Sequence, residues 1–260
     1  MNKPGGVLLA FAVAIVLPAA QLAAEELVGS KIINLPGHLT VGSSTLELLF
    51  THRFSQTVDD AGGTDLFGLD SAADVGIGLA LGLGPRLQVE IYRSSFLKQF
   101  EAAAKLTLVE QRDGWPVGLA VRGGADYRGA RGVDERWAGF VQAVVARSWG
   151  EGLDLWIVPM YATDTPTLTD AANVGVAAVM HLPRRWDVAA EVIPKNRDAR
   201  EGELAWSLGL VKRLPGHEFL IYVGNSRATT VDLLVGSDLP GGFATSDVRL
   251  GFNLVRRFPE

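Results

Sequence analysis

The sequence predicts an all-β protein, a single antiparallel up-and-down transmembrane β-barrel of about twelve strands. Three observations carry that expectation. Apolar and polar residues alternate with period two along most of the chain. The connections between the alternating runs are short and long in turn. An export leader opens the chain, and no apolar run of about 18 residues follows it.

The last stretch, 246–258, shows the alternation best. Val248, Leu250, Phe252, Leu254 and Phe258 share one face, and Asp247, Arg249, Gly251, Asn253 and Arg257 share the other. A strand of about a dozen residues is roughly twice the usual globular length, and a tilted strand of about 9–11 residues crosses a bilayer. The run closes on Phe258, as the C-terminal sorting strand of bacterial outer-membrane barrels closes on Phe or Trp. Such an aromatic sits at the interface and is read by the insertion machinery. Arg256 falls on the apolar side near the end, where its stem can snorkel to a headgroup. The bland alternative is the last strand of a soluble β-sandwich.

The leader occupies residues 1–24. Lys3 is its lone charge, residues 7–17 are apolar, and small residues precede Glu25 and Glu26, so cleavage is expected after Ala24. Residues 25–43 read as a polar lead-in and 44–260 as one barrel domain. Hydrophobic residues make up 48% of the chain and charged residues 20%, which argues against both a disordered chain and a helical membrane protein. The formal net charge of −5 argues against a nucleic-acid binder. The absence of Cys fits an oxidising compartment and excludes a lipoprotein.

Strands are expected at about 44–55, 74–82, 86–93, 97–110, 115–128, 136–149, 152–163, 171–183, 185–194, 203–214, 217–226 and 246–258. In the second, Val75, Ile77, Leu79 and Leu81 oppose a face of Gly and Ala, which cannot fill a core unless something large lies across it. Tight turns such as Gly84-Pro85 and Pro215-Gly216 alternate with the longer connections 57–72, 129–135, 164–170, 195–202 and 227–245. Only 94–96 is short in a long-loop position. Short periplasmic turns facing longer outside loops are a habit of outer-membrane barrels, and they place both termini in the periplasm. Glu47, Arg53, Glu90, Arg122, Asp126, Asp187, Glu191, Arg249 and Arg257 oppose apolar faces and are expected to line the lumen. Trp115, Trp137, Trp149, Trp186, Trp206 and Phe258 fall near strand ends, as interfacial girdles do.

A set of short motifs recurs in order: His52-Arg-Phe54, Leu66-Phe-Gly-Leu-Asp70, Arg93-Ser94, Gly216-His-Glu-Phe219, Asn225-Ser226, and Asp247 to Asn253 followed by Phe258. Together they resemble the bacterial β-barrel family filed as domain of unknown function fifty-seven seventy-seven, from about residue 31 to 258. The resemblance implies a barrel and no established activity, and it carries no functional residue over.

Polar residues gather at the long-loop end. Arg53, Asp70, Arg93, Asp126, Lys195, Arg197, Asn225 and Arg227 are the candidate rim residues. Converging guanidinium groups would favour an anionic solute, whereas a charge-paired network bracing the loops would explain the same composition without a ligand. The expected function is a narrow, monomeric outer-membrane pore or binding barrel for a small polar, possibly anionic solute. Its partners are the lipid bilayer and the insertion machinery. The alternatives are an outer-membrane lipid hydrolase and an envelope scaffold. A hydrolase would need Ser226 beside a histidine, but His217 starts the same strand at its opposite end and His52 lies on a distant strand. No catalytic residue, cofactor or metal is expected, because the four His show no ligand spacing.

Overall fold

The structure is a computed structural model that describes residues 29–131, 136–167, 169–199, 202–237 and 244–258. The leader and its cleavage point lie outside these residues. Twelve strands form the wall: β1 (Leu46–Phe54), β2 (Ala73–Gly82), β3 (Leu87–Ser94), β4 (Gln99–Val109), β5 (Gly118–Arg128), β6 (Trp137–Trp149), β7 (Leu153–Thr163), β8 (Asp170–Leu182), β9 (Trp186–Ile193), β10 (Ala205–Leu214), β11 (His217–Gly224) and β12 (Arg249–Phe258). Each pairs antiparallel with the next in the chain. β12 returns to β1, with Leu46 opposite Phe258 and Arg53 opposite Gly251. Closure leaves no sheet edge, which is what a bilayer demands of a β-structure. The expected strands are all present. The largest shifts are at starts, where β5 begins at Gly118 and β12 at Arg249.

The two faces of the wall separate as the alternation predicts. Outward residues are large and apolar and stand open, with Ile77 52%, Ile91 60% and Ile221 67% exposed. Burying one such side chain is worth roughly 1.5–3 kcal/mol, so a wall of them fits hydrocarbon rather than water. Glu47, Arg53, Arg122, Asp126, Asp187 and Glu191 are buried inward, and Arg249 and Arg257 are half-buried there. Trp115, Trp137 and Trp186 are exposed at strand ends or turns. Arg256 points outward at its strand end, 5.1 Å from the Phe258 ring centroid.

Residues 29–42, expected as a polar lead-in, run inside the barrel. Ile32, Ile33 and Leu35 are buried there against a cluster that includes Trp156, Met160, Val179 and Leu220. The long connections contribute a second insertion. The first of them carries helix α1 (Val58–Ala61), capped where the Thr57 hydroxyl accepts the Asp60 N–H at 3.1 Å. The last carries helix α2 (Val231–Gly236), whose six residues are all buried. It packs inside the barrel against β6, β7 and β8.

The Gly and Ala faces make room for these contents. The Tyr92 ring lies across the β2 face, and a Cβ on Gly76 would meet the Tyr92 hydroxyl at 1.9 Å. On Gly82 it would meet the Gly42 carbonyl oxygen at 1.6 Å, and on Gly175 the Leu35 methyls at 2.7 Å. The large object required by the small-residue face is thus a tyrosine from the next strand together with the inserted N-terminal segment.

Candidate functional site

The lumen is the site, and its two insertions are held by polar contacts to the wall. The N-terminal segment is fixed first by Glu191 on β9. Its carboxylate accepts the backbone N–H groups of Ile33 at 2.7 Å, Asn34 at 2.9 Å and Leu35 at 2.9 Å. A chain turning inside a barrel has no ladder partner for these donors, and one inward carboxylate supplies it. From the other side, Arg53 donates to the side-chain oxygens of Asn34 at 2.9 Å and Asn253 at 2.7 Å. Asn253 in turn donates to the Ile33 carbonyl at 2.8 Å. Glu47 accepts the Ser30 hydroxyl at 2.6 Å and pairs with Arg257 at 3.0 Å.

Toward the short-turn end the same segment is tied to β3 and β4. Gln88 accepts the Val41 N–H at 2.8 Å, Lys105 donates to the Gly37 carbonyl at 3.2 Å, and Thr107 donates to the His38 carbonyl at 2.7 Å. The His38 ring accepts the Trp156 indole N–H at 3.4 Å. Burial, and then the nearby Lys105 charge, lower the His38 pKa to about 4. At that same mouth His181 bridges Asp154 at 2.9 Å and Asp187 at 2.7 Å, and Arg213 pairs with Asp187.

Helix α2 is anchored through Asp232. Its carboxylate pairs with Arg128 at 2.7 Å and accepts from Gln99 at 2.9 Å and from the Thr230 hydroxyl at 2.8 Å. The Asp232 N–H donates to Asp126 at 3.1 Å, and the Val231 N–H donates to Glu101 at 3.1 Å. Burial pushes the Asp232 carboxyl upward, while its bonds to Thr230 and Arg128 pull it back. Glu101 joins the parts. It pairs with the wall residue Arg122, lies 3.8 Å from Lys31 of the first insertion, and accepts from the second. Arg122 also pairs with Glu90 at 2.8 Å and donates to Gln142 at 3.0 Å. The insertions touch directly where Lys31 Nζ donates to the Thr229 carbonyl at 3.3 Å.

The eight rim candidates all lie at or near the long-loop end of the barrel, but they do not meet at one site. Arg53 and Asp126 are buried and point inward within two residues of their strand ends, each holding an insertion. Asn225 is buried and bridges β10 and β11, accepting the Trp206 N–H at 2.8 Å and donating to the Leu204 carbonyl at 2.7 Å. Arg227 pairs with Asp74 at 3.0 Å. Asp70 is exposed on the connection between β1 and β2, and Lys195 and Arg197 are exposed together on the connection between β9 and β10. Arg93 points out of the barrel, its guanidinium 4.8 Å from the Phe100 ring centroid. The residues that the sequence reading did not single out are Lys31, Gln99, Glu101, Lys105 and Asp232. The signal for the insertions was present: Ile32-Ile-Asn-Leu35 and Val231-Asp-Leu-Leu-Val235 are apolar runs in segments that should otherwise be wet.

The arrangement offers no hydrolytic geometry at Ser226. Its hydroxyl accepts the Ala228 N–H at 3.2 Å, while His52 faces outward and stacks on Phe252 at 4.8 Å. Among the described residues no group of three His, Asp or Glu side chains is placed to hold a metal ion.

A closed wall with an apolar exterior and a charged, filled lumen defines a membrane β-barrel. The chain belongs to the family described as membrane bound beta barrel domain (DUF5777), whose profile matches residues 28–258. No curated protein is similar to it by sequence. Among solved structures it is similar to an outer membrane channel from Pseudomonas putida F1, with TM-score 0.55 and 14% identity over 90% of this chain and 100% of that one. It is also similar to the NanC porin, with TM-score 0.51 and 7% identity over 81% and 98%. An active-site mutant of outer membrane phospholipase A from Escherichia coli gives TM-score 0.50 and 14% identity over 87% and 97%. At these identities the likeness is one of fold.

Proposed function

We propose that the chain is an outer-membrane barrel serving a small polar solute, and that the described conformation is its closed form. Its short turns then face the periplasm. The observation that carries this reading is the chemistry of the insertions. Beside their apolar packing, both are attached to the wall through carboxylates, guanidiniums and amides, as at Glu191 and at Arg128 with Asp232. Hydrogen bonds to charged groups are worth about 1.5–3 kcal/mol net, and both partners of each recover water when an insertion leaves a wetted lumen. Apolar anchoring alone would not release so readily into a wetted lumen. The outer-membrane proteins of similar fold support the location, and the channel and porin among them support passage.

The test is single-channel conductance in planar bilayers. Wild-type barrels should conduct weakly or rarely, and Glu191→Ala combined with Arg128→Ala should give frequent, larger steps. Silence from both proteins, each verified as folded by heat-modifiable gel mobility, would overturn the reading.

A further inference from the structure

The outer wall carries an apolar groove of about 690 Å³ across β2–β6, near the long-loop end. This lies within the range of small-ligand sites, about 300–1,000 Å³. The strand register explains its shape. Ile77, Arg93, Phe100, Tyr127 and Trp137 are successive cross-strand partners and form one outward row. One row further from the loops, Ile91 is followed by Ala102, Ala125 and Gly139. Large rings therefore overhang a floor of methyl groups and backbone, with Phe100 53% and Trp137 64% exposed.

The end of the groove nearest the loops is cationic. Arg93 lies over the Phe100 ring and donates to the Gln99 carbonyl at 3.4 Å. Arg136 donates to the Tyr127 hydroxyl at 3.3 Å. These partners are neutral, and a guanidinium keeps its proton, so both groups present positive charge. Tyr127 and Trp137 contact each other at 4.9 Å between ring centroids, as an interfacial aromatic pair does where the hydrocarbon ends.

We propose that this groove binds one anionic, phosphate-bearing lipid of the leaflet at the long-loop end, for which phosphatidylglycerol serves as the probe, with an acyl chain on the Ala102–Ala125 floor and the phosphate between Arg93 and Arg136. A concave apolar floor on a barrel wall accepts an alkyl chain, and guanidiniums at headgroup depth accept a phosphate in bidentate fashion. A second copy of the chain is a poorer occupant. A two-fold contact through this face would set concave against concave and guanidinium against guanidinium.

The experiment is native mass spectrometry of the full-length barrel released from mixed bilayers of phosphatidylglycerol and phosphatidylcholine. Wild type should retain one phosphatidylglycerol in preference to phosphatidylcholine. Arg93→Gln with Arg136→Gln should reduce that preference about five-fold per residue, following about 1 kcal/mol for each basic group at an anionic surface. Ala102→Leu with Ala125→Leu fills the floor without touching the lumen and should abolish retention of either lipid. Folding of each variant is verified by heat-modifiable mobility, and a variant that fails is replaced by Arg93→Gln alone or Ala125→Val. Equal retention of the two lipids by wild type would overturn the proposal. So would retention unchanged by both sets of substitutions, or a lipid-free dimer. The conductance test above is independent of all these outcomes.

Discussion

Replacing Glu191 by Ala removes the acceptor of three buried backbone N–H groups, those of Ile33, Asn34 and Leu35. Each donor left unpaired costs about 1–3 kcal/mol, and the three share one carboxylate, so a combined loss of about 3–6 kcal/mol is expected rather than the full sum. The loss falls on the docking of residues 29–42, because the β8–β9 and β9–β10 ladders do not use this side chain. The wall should remain folded while the segment leaves. Hydrogen exchange at the amides of residues 33–35 should accelerate at least about a hundredfold, since about 1.4 kcal/mol is a factor of ten. Limited proteolysis within residues 29–45 should appear in the variant alone. Glu191→Gln keeps one acceptor oxygen and should give a smaller effect. Unchanged protection in Glu191→Ala, with the wall intact, would refute the idea that this carboxylate holds the insertion.

Breaking the Arg128–Asp232 pair with Arg128→Met should cost about 3–5 kcal/mol in the seating of α2, because it strands a buried carboxylate; protease sensitivity near residue 232 is the readout. Gly82→Ala should displace the segment more than Gly175→Ala, since the first collides with the Gly42 backbone and the second with movable Leu35 methyls. Leu35→Ala should rescue the second and not the first, as measured by exchange at residues 33–41. His38 titrates at about 4 when folded and near 6.5 when unfolded, so between those values the unfolded state binds more protons. The stability it contributes is present above pH 6.5 and is lost as pH falls toward 4, by at most about 3 kcal/mol, and His38→Gln should flatten that part of the denaturation profile. Phe258→Ala should lower the amount of inserted barrel without blocking export, because this outward aromatic closes the last strand; normal insertion would make the residue merely structural.

Period two is a local property, so the sequence by itself determined the strands, the antiparallel meander and the sorting of charges from alkyl groups. Val75, Ile77, Leu79 and Leu81 face lipid because they share a parity, whatever lies elsewhere in the chain. The parity of Leu87, Val89, Ile91 and Arg93 likewise placed Arg93 on the outer wall, although its position at a strand end grouped it with the rim. The contents of the lumen were a different matter. Only the tertiary structure decided that Ile33 meets Glu191, 158 residues away, and that Asp232 meets Arg128, 104 away. The inserted segments are too short to show a period, and their contacts depend on which strands closure brings face to face. Glu101 and Gln99 could be read as inward residues from alternation alone. That they hold one inserted helix, rather than line an open channel, follows from the loop that folds back between them.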